Sequence, residues 1–97
     1  MTVKTDFNDK ICTMTVEGNI DTMTSSELEQ AVAEAAVDCE KLILDFAGVE
    51  YISSAGIRAV LEARRIVGGD NLTLKNLNAN VNELFRITGF TKVLNIV

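Results

Sequence analysis

Two consecutive serines, Ser53 and Ser54, are the residues of this chain best placed to carry chemistry. They follow residues 45–52, which have the pattern of a buried strand end and a short loop, and they precede the apolar spacing of a helix. A hydroxyl at a helix N-terminus lies among free backbone N–H groups at the positive end of the helix dipole. A phosphate attached there would be stabilised by the protein itself. Serines before helices are also their usual caps, and one hydroxyl can serve both roles.

Several other kinds of chemistry are excluded or disfavoured by composition. The chain has no histidine, which removes Ser-His-Asp and Cys-His catalysis and most zinc sites. It also lacks a glycine-rich phosphate loop and a paired acidic cluster at one strand end. We therefore expect no enzyme activity, no cofactor and no metal site. The remaining enzyme hypothesis is a small thiol or phosphoryl-transfer enzyme that uses Cys12 or Asp45, the latter similar to a receiver-domain aspartate.

The charge and the absence of targeting signals restrict partners and location. The net charge of −5 disfavours nucleic acid as a partner. Residues 1–50 hold 3 basic and 11 acidic groups, a balance of −8, whereas residues 51–97 hold 6 basic and 3 acidic groups, a balance of +3. No apolar run reaches the ~20 residues of a membrane span, and no apolar signal region opens the chain. We expect a cytoplasmic protein, with Cys12 and Cys39 reduced and structural.

The first half of the chain predicts a hairpin and a helix. Val3–Phe7 and Ile11–Glu17 have strand patterns on either side of a turn-rich link. Thr24 and Glu27 have the spacing of a capping box, in which the threonine hydroxyl accepts the N–H of the glutamate. One apolar helix face follows, formed by Leu28, Ala31, Val32 and Ala35.

The second half continues in strand–helix units. Leu42–Leu44 has the continuous apolar pattern of a strand buried on both sides. The helix after Ser53 ends at Gly68-Gly69, and a capping signal at Asn80 opens a last helix that ends at Gly89. The other predicted elements are a strand at Leu72 and Leu74 and a short last strand at Val93–Val97. The order ββαβαβαβ predicts an α/β domain with a mixed sheet and helices packed against it.

Three segments in this order resemble one known family, the STAS domain of bacterial anti-sigma factor antagonists. Its phospho-acceptor segment has a strand ending in D-x-x-x-V and then [IM]-[DS]-S-x-G-[LI]. The matching residues here are Asp45, Val49, Ile52, Ser53, Ser54, Gly56 and Ile57. The segments 18–24 and 84–94 are similar to the family's G-x-[LI]-D-x-x-[TN] motif and to its last helix, glycine stop and final strand. The resemblance implies one STAS domain over residues 1–97.

The resemblance implies a binding module controlled by phosphorylation. The unphosphorylated protein would bind an anti-sigma factor that is itself a serine kinase of the histidine-kinase-like ATPase fold, and would thereby release the sigma factor. That kinase would phosphorylate Ser54, or alternatively Ser53, and a metal-dependent serine phosphatase would reverse the reaction. Partner-binding residues would be Asp21, Ser53, Gly56 and Arg58. Asp21 is equally explained as the residue of an Asx turn. We expect the free protein to be a monomer that neither binds nucleic acid nor inserts into membranes.

Two departures from the commonest family pattern keep an alternative function open. Ser53 stands where aspartate is frequent, and Ala55 stands where a second serine or threonine is frequent. The alternative is a STAS subunit that is not phosphorylated and serves as a scaffold in a transporter or a signalling assembly.

Overall fold

The computed structural model describes all of residues 1–97 as a five-stranded sheet with three α-helices. The elements are β1 (Thr2–Asn8), β2 (Ile11–Glu17), α1 (Ser25–Ala36), β3 (Lys41–Gly48), α2 (Ser54–Val67), β4 (Leu72–Lys75), α3 (Ala79–Ile87) and β5 (Asn95–Ile96). Short 3₁₀ segments cover Gly69–Asn71 and Phe90–Lys92. This order confirms the predicted ββαβαβαβ arrangement. None of the helices combines the length and the apolar character that a membrane crossing requires.

The sheet is mixed, and its strands lie side by side in chain order. β1 pairs antiparallel with β2 through a two-residue turn, and the remaining neighbours pair in parallel. Parallel neighbours need crossover connections, which α1, α2 and α3 provide. Right-handed crossovers that all step in the same direction place the helices on one face of the sheet.

The core lies between that face and the helices. Alternate strand residues point into it, as the period of two requires. They are Cys12, Met14, Val16, Leu42, Leu44, Phe46, Leu72 and Leu74. The helices contribute Leu28, Val32 and Ala35 of α1, Ile57, Ala59, Val60 and Ala63 of α2, and Val81 and Phe85 of α3. Burying these side chains on one face supplies the main free energy of folding.

The opposite face of the sheet carries no helix. Ile43 and Asp45 of β3 point to it and are only half-buried, as are Thr13 and Thr15 of β2. The prediction of a strand buried on both sides at Leu42–Leu44 is therefore wrong. The apolar Ile43 made the run look continuous, although its side chain lies on the open face.

The ends of the later elements differ slightly from the sequence predictions. α3 begins two residues earlier than expected: Asn78 caps it, because its Oδ1 accepts the N–H of Val81 at 2.8 Å, so the capping signal predicted at Asn80 is wrong. Gly89 at φ 83°, ψ 4° ends that helix as predicted. The predicted strand 93–97 is shorter because the N–H groups of Val93 and Leu94 bond the carbonyl of Phe90.

A free serine hydroxyl at the start of the second helix

The loops that follow β2 and β3 run side by side at one end of the sheet. The N–H of Ile20 donates to the carbonyl of Tyr51 at 3.0 Å, and the N–H of Ser53 donates to the carbonyl of Ile20 at 2.8 Å. These bonds extend the parallel pairing by one bridge, Ile20 with Ile52, beyond the strands themselves. The structure therefore brings the predicted site residues Asp21 and Ser53 into neighbouring loops.

Ser53 and Ser54 have different positions at the start of α2. Ser53 is the N-cap: its backbone is extended, and its Oγ accepts the N–H of Gly56 at 3.3 Å. Ser54 is the first helical residue and is exposed. Its hydroxyl makes no hydrogen bond within the chain. Both serines lie at the start of this helix, as predicted; Ser53 is half-buried, and of the two hydroxyls only that of Ser54 makes no hydrogen bond.

The backbone around Ser54 is suited to an anion. The N–H groups of Ser54 and Ala55 belong to the first turn and have no acceptor in the chain. α2 is 14 residues long and its first turn carries no acidic side chain. The positive end of its dipole is therefore not offset by a carboxylate of its own.

Gly56 holds this helix start close to both loops. A Cβ at this position would lie 2.5 Å from Cγ1 of Ile52 and 2.8 Å from Cγ2 of Ile20, distances that packed atoms do not adopt. Gly56 is buried. It was predicted to bind the partner, but its place in the structure is under the surface, where the missing side chain lets α2 approach.

Asp21 organises the loop before α1. Its Oδ1 accepts the N–H of Met23 at 2.9 Å and that of Thr24 at 3.0 Å, and lies 3.1 Å from the Thr24 hydroxyl. The N–H of Thr24, followed by its hydroxyl and the N–H of Met23, outweighs desolvation and holds the pKa of Asp21 below its usual range. The Asx-turn interpretation is confirmed. Oδ2 accepts no bond in the chain.

The capping box predicted at Thr24 is wrong. Thr24 is the residue before α1, but its side chain makes no capping bond to the helix. Its hydroxyl accepts the N–H of Asp21 at 2.9 Å and lies 2.9 Å from the carbonyl of Asn19. The reason is that the carbonyl of Asp21 already accepts the N–H of Ser25 at 2.8 Å, so a helical turn begins at Asp21, ahead of Thr24.

Asn78 connects a third loop to the site by hydrogen bonds. Its role was not predicted from the sequence. Its Nδ2 donates to the carbonyls of Val49 and Glu50, at 3.1 and 3.2 Å, while its Oδ1 caps α3. One side chain thus joins the start of the last helix to the loop that leads to Ser53. The run Asn76-Leu-Asn78 directly before an apolar helical pattern was the available signal.

The surface near Ser54 includes the charged side chain of Arg58 and two hollows. Arg58, one turn after Ser54, is exposed and forms no ion pair. A hollow of about 230 Å³ is lined by Ser54, Ile57, Arg58, Leu61, Thr88 and Phe90. A second one of about 480 Å³ is lined by Asn19, Glu50, Tyr51, Ile52, Asn80, Val81 and Leu84. Met23 is 86% and Tyr51 56% exposed, so both neighbouring loops present large apolar side chains.

The two residues of the enzyme hypothesis, Cys12 and Asp45, both have partners within the chain. Cys12 is fully buried; burial and then the adjacent Cys39 raise the pKa of its thiol to about 11. Burial alone would raise the pKa of Asp45, but hydrogen bonds from Asn76 and Ala47 and the charge of Lys75 lower it. No group of three potential metal ligands occurs in the chain. Cys12 thus contacts Cys39 in the core, and Asp45 accepts hydrogen bonds from Ala47 and Asn76.

Comparison with known proteins identifies the family of this chain. Residues 2–97 match the STAS domain. The chain belongs to the STAS domain family. This STAS domain is 36% identical over 93 residues to BtrV of Bordetella bronchiseptica, a protein named as an anti-sigma factor antagonist. The aligned part covers 88% of the chain and 78% of BtrV.

Solved structures share the fold of this STAS domain. An anti-sigma factor antagonist from Mycobacterium paratuberculosis superposes with a TM-score of 0.88 at 23% identity, covering 98% of this chain and 83% of the other. The Bacillus cell fate determinant SpoIIAA in its phosphorylated form gives a TM-score of 0.74 at 14% identity, covering 99% and 91%. These likenesses confirm the predicted fold, and the relative in Bordetella confirms the predicted resemblance to anti-sigma factor antagonists.

Proposed function

We propose that this STAS domain is an anti-sigma factor antagonist whose affinity for its anti-sigma factor is switched by phosphorylation of Ser54. The observation that carries the proposal is the division of roles between the two serines. Ser53 caps α2, so the hydroxyl of Ser54 is exposed, unbonded and chemically available. The free N–H groups of the first turn support the same choice.

The partner that we propose is an anti-sigma factor with serine kinase activity of the histidine-kinase-like ATPase fold. Its ATP would supply the phosphate, and a metal-dependent serine phosphatase would remove it. The STAS domain itself would contribute a surface and a hydroxyl, without catalysing either step. This assignment follows the family resemblance and the name of the Bordetella relative.

The binding surface would be formed by the loops on both sides of Ser54. Met23 and Tyr51 offer apolar area, and buried apolar or aromatic anchors dominate the energy of most interfaces. The free Oδ2 of Asp21 and the unpaired Arg58 would set orientation by contacts with opposite charges on the partner. Ser53 and Gly56 would act from below, by holding α2 against the loops.

Phosphorylation would change this surface in two ways. It adds about −1.5 to −2 charges beside Asp21, where the partner's own groups must approach. It also places a dianion one turn before Arg58, and residues i and i+4 are neighbours on a helix surface. The phosphate would then bond Arg58 and the free N–H groups, so Arg58 would no longer be available to the partner. Both effects would lower the affinity for the partner. Each 1.4 kcal/mol of binding free energy lost weakens that affinity about tenfold.

The direct test is phosphate incorporation by the cognate kinase with ATP, measured by mass spectrometry of the intact protein and its peptides. Ser54→Ala should abolish incorporation and leave partner binding close to wild type. Ser26→Ala, which removes an exposed serine hydroxyl from α1, is the matched control and should incorporate phosphate normally. Stoichiometric incorporation into Ser54→Ala would overturn the assignment and direct attention to Ser53.

The scaffold alternative is favoured by one observation, the replacement of two common neighbours of the acceptor by Ser53 and Ala55. It predicts no incorporation at any serine, together with partner binding that ATP does not weaken. Titration of the anti-sigma factor with and without ATP, using wild-type protein, separates the two functions.

A further inference from the structure

The first strand leaves one side of its backbone unpaired. β1 lies at the edge of the sheet, and its only backbone partner is β2. Asn8 pairs with Ile11 across the two-residue turn, so the even-numbered residues of β1 direct their N–H and C=O groups to β2. The outward groups belong to Val3, Thr5 and Phe7. An edge of this kind is a template for another strand.

A groove with mixed apolar and polar walls runs along the same edge. It has a volume of about 430 Å³ between β1 and α1 and is lined by Val3, Thr5, Phe7, Ala31, Glu34, Ala35 and Asp38. Phe7 is 52% exposed, although its side chain lies on the face of the sheet that the helices cover. Aromatic residues are enriched in protein–protein interfaces relative to the rest of the surface, and Phe7 lies beside an open strand edge.

The sequence of β1 is complementary to itself about Thr5. If two copies pair antiparallel with Thr5 opposite Thr5, then Val3 faces Phe7 of the partner subunit on the groove side. Lys4 faces Asp6 of the partner subunit on the open side of the sheet. In this register the outward backbone groups bond each other, and Lys4 with Asp6 becomes the closer, non-hydrogen-bonded type of pair. Neither Lys4 nor Asp6 forms an ion pair within its own chain.

We propose that two copies of this chain associate through β1 and join their sheets into one, with Thr5 at the two-fold axis. The arrangement is isologous, since each contact occurs twice with the residues exchanged. Backbone bonding, an apolar pair and an opposite-charge pair all require the same register, and a one-residue slip would lose the last two.

The association is weak and depends on concentration. A single added strand buries less area than a stable interface needs, and each copy would bring the acidic Glu34 and Asp38, which line its groove, to the side of the pairing edge. At low concentration the free protein remains the monomer expected from the sequence. β2 separates β1 from β3, whose loop leads to Ser54, so the pairing leaves the proposed switch open on both copies.

The test is sedimentation velocity over a wide concentration series with wild type and charge variants. Lys4→Glu puts two like-charge pairs in place of two opposite-charge pairs and should weaken dimerisation about tenfold. Lys4→Glu combined with Asp6→Lys restores complementarity and should return the dimerisation constant to within about threefold of wild type. Lys92→Glu, an equal charge change at an exposed site outside β1, should have no effect.

A second variant addresses the backbone. Thr5→Pro removes an outward N–H and leaves the ladder to β2 intact, which edge strands tolerate. It should abolish dimerisation while thermal melting shows a folded domain. The proposal is overturned if wild type stays monomeric throughout the series, or if the double charge variant is as weak as Lys4→Glu. Dimerisation that Thr5→Pro leaves unchanged would place the interface elsewhere and equally overturn it.

Discussion

Two helix N-termini meet at the same end of the sheet, and they use their polar groups in opposite ways. Before α1, Oδ1 of Asp21 takes two backbone N–H groups, and Thr24 bonds back into the same turn. Before α2, the hydroxyl of Ser53 makes one long bond of 3.3 Å and the hydroxyl of Ser54 makes none. The side chains before α1 bond mainly within their own turn, whereas the turn before α2 keeps a hydroxyl and two N–H groups available.

The difference teaches where function can be placed on a small domain. A closed turn is a firm support but has little left to offer a ligand. An open turn costs stability, because its backbone donors are satisfied by water alone. Gly56 connects the two turns, because its missing side chain lets α2 pack on Ile20 and Ile52. The open turn is therefore held in place by packing, and its hydrogen-bonding groups remain free.

Removing that packing should have the largest effect on stability. Gly56→Ala places a Cβ within 2.8 Å of the side chains of Ile20 and Ile52, and the overpacking should cost about 1–3 kcal/mol of unfolding free energy. Urea denaturation measures it. Gly89→Ala serves as the comparison for backbone strain alone: it meets no atom within 4 Å, and its left-handed φ of 83° should cost about 1–2 kcal/mol. An unchanged unfolding free energy for Gly56→Ala would mean that the contact with the loops does not matter.

Adding a charge to the open turn should affect binding more than folding. Ser54→Asp places a carboxylate at the positive end of α2, where it contributes about 0.3–1 kcal/mol of stability. Binding to the anti-sigma factor should weaken by about tenfold or more, since 1.4 kcal/mol is tenfold. Calorimetric titration and thermal melting separate the two effects. Glu62→Gln, on the same helix and away from Ser54, should alter neither strongly. Wild-type affinity in folded Ser54→Asp would favour the scaffold function.

Removing the single cap of the open turn should have a smaller effect. Ser53→Ala loses a 3.3 Å hydrogen bond to Gly56 and should reduce the unfolding free energy by about 1 kcal/mol or less. Asn78→Ala is the informative comparison, because it removes a 2.8 Å cap and two bonds to the neighbouring loop. We expect Asn78→Ala to be the more destabilising of the two in the same denaturation experiment. The reverse order would contradict the bridging role of Asn78.

The turn before α1, which Asp21 organises, should make stability depend on pH. The pKa of Asp21 is lowered in the folded state, so its contribution to stability is complete above its unfolded pKa, near 4. The contribution is lost as pH falls through the lower folded value. Wild type should be more stable than Asp21→Asn at neutral pH, and the difference between them should shrink below about pH 4. A difference that is constant from neutral to acid pH would show that the charge of Asp21 has no part in the turn.

Local patterns in the sequence predicted most of the elements, because strands and helices leave periodic marks. They did not reveal which face of β3 is open, since Ile43 is apolar on a face without helices. The helix starts were harder. The Thr24 capping box and the Asn80 signal both had suitable residue types, but the first turns began earlier, where Asp21 and Asn78 found long-range or loop partners. Such contacts depend on the tertiary structure and cannot be inferred from the spacing of residues in the sequence.

The candidate site shows the same division. Ser53 and Ser54 could be placed from their neighbours, because a helix start is a local feature. The pairing of the Ile20 and Ile52 loops and the exposure of Tyr51 and Met23 depend on how the strands align. Gly56 was assigned to the partner surface because a motif shows that a residue matters without showing whether it lies above or below the surface.

The position of Tyr51 has an optical consequence. It is the only tyrosine of a chain that contains no tryptophan, and it lies in the loop directly before Ser53 with 56% of its surface exposed. All intrinsic fluorescence of the protein excited at tyrosine wavelengths therefore comes from one ring beside the proposed switch. Covering that ring or charging its neighbour changes its emission, so the unlabelled protein carries its own reporter of events at Ser54.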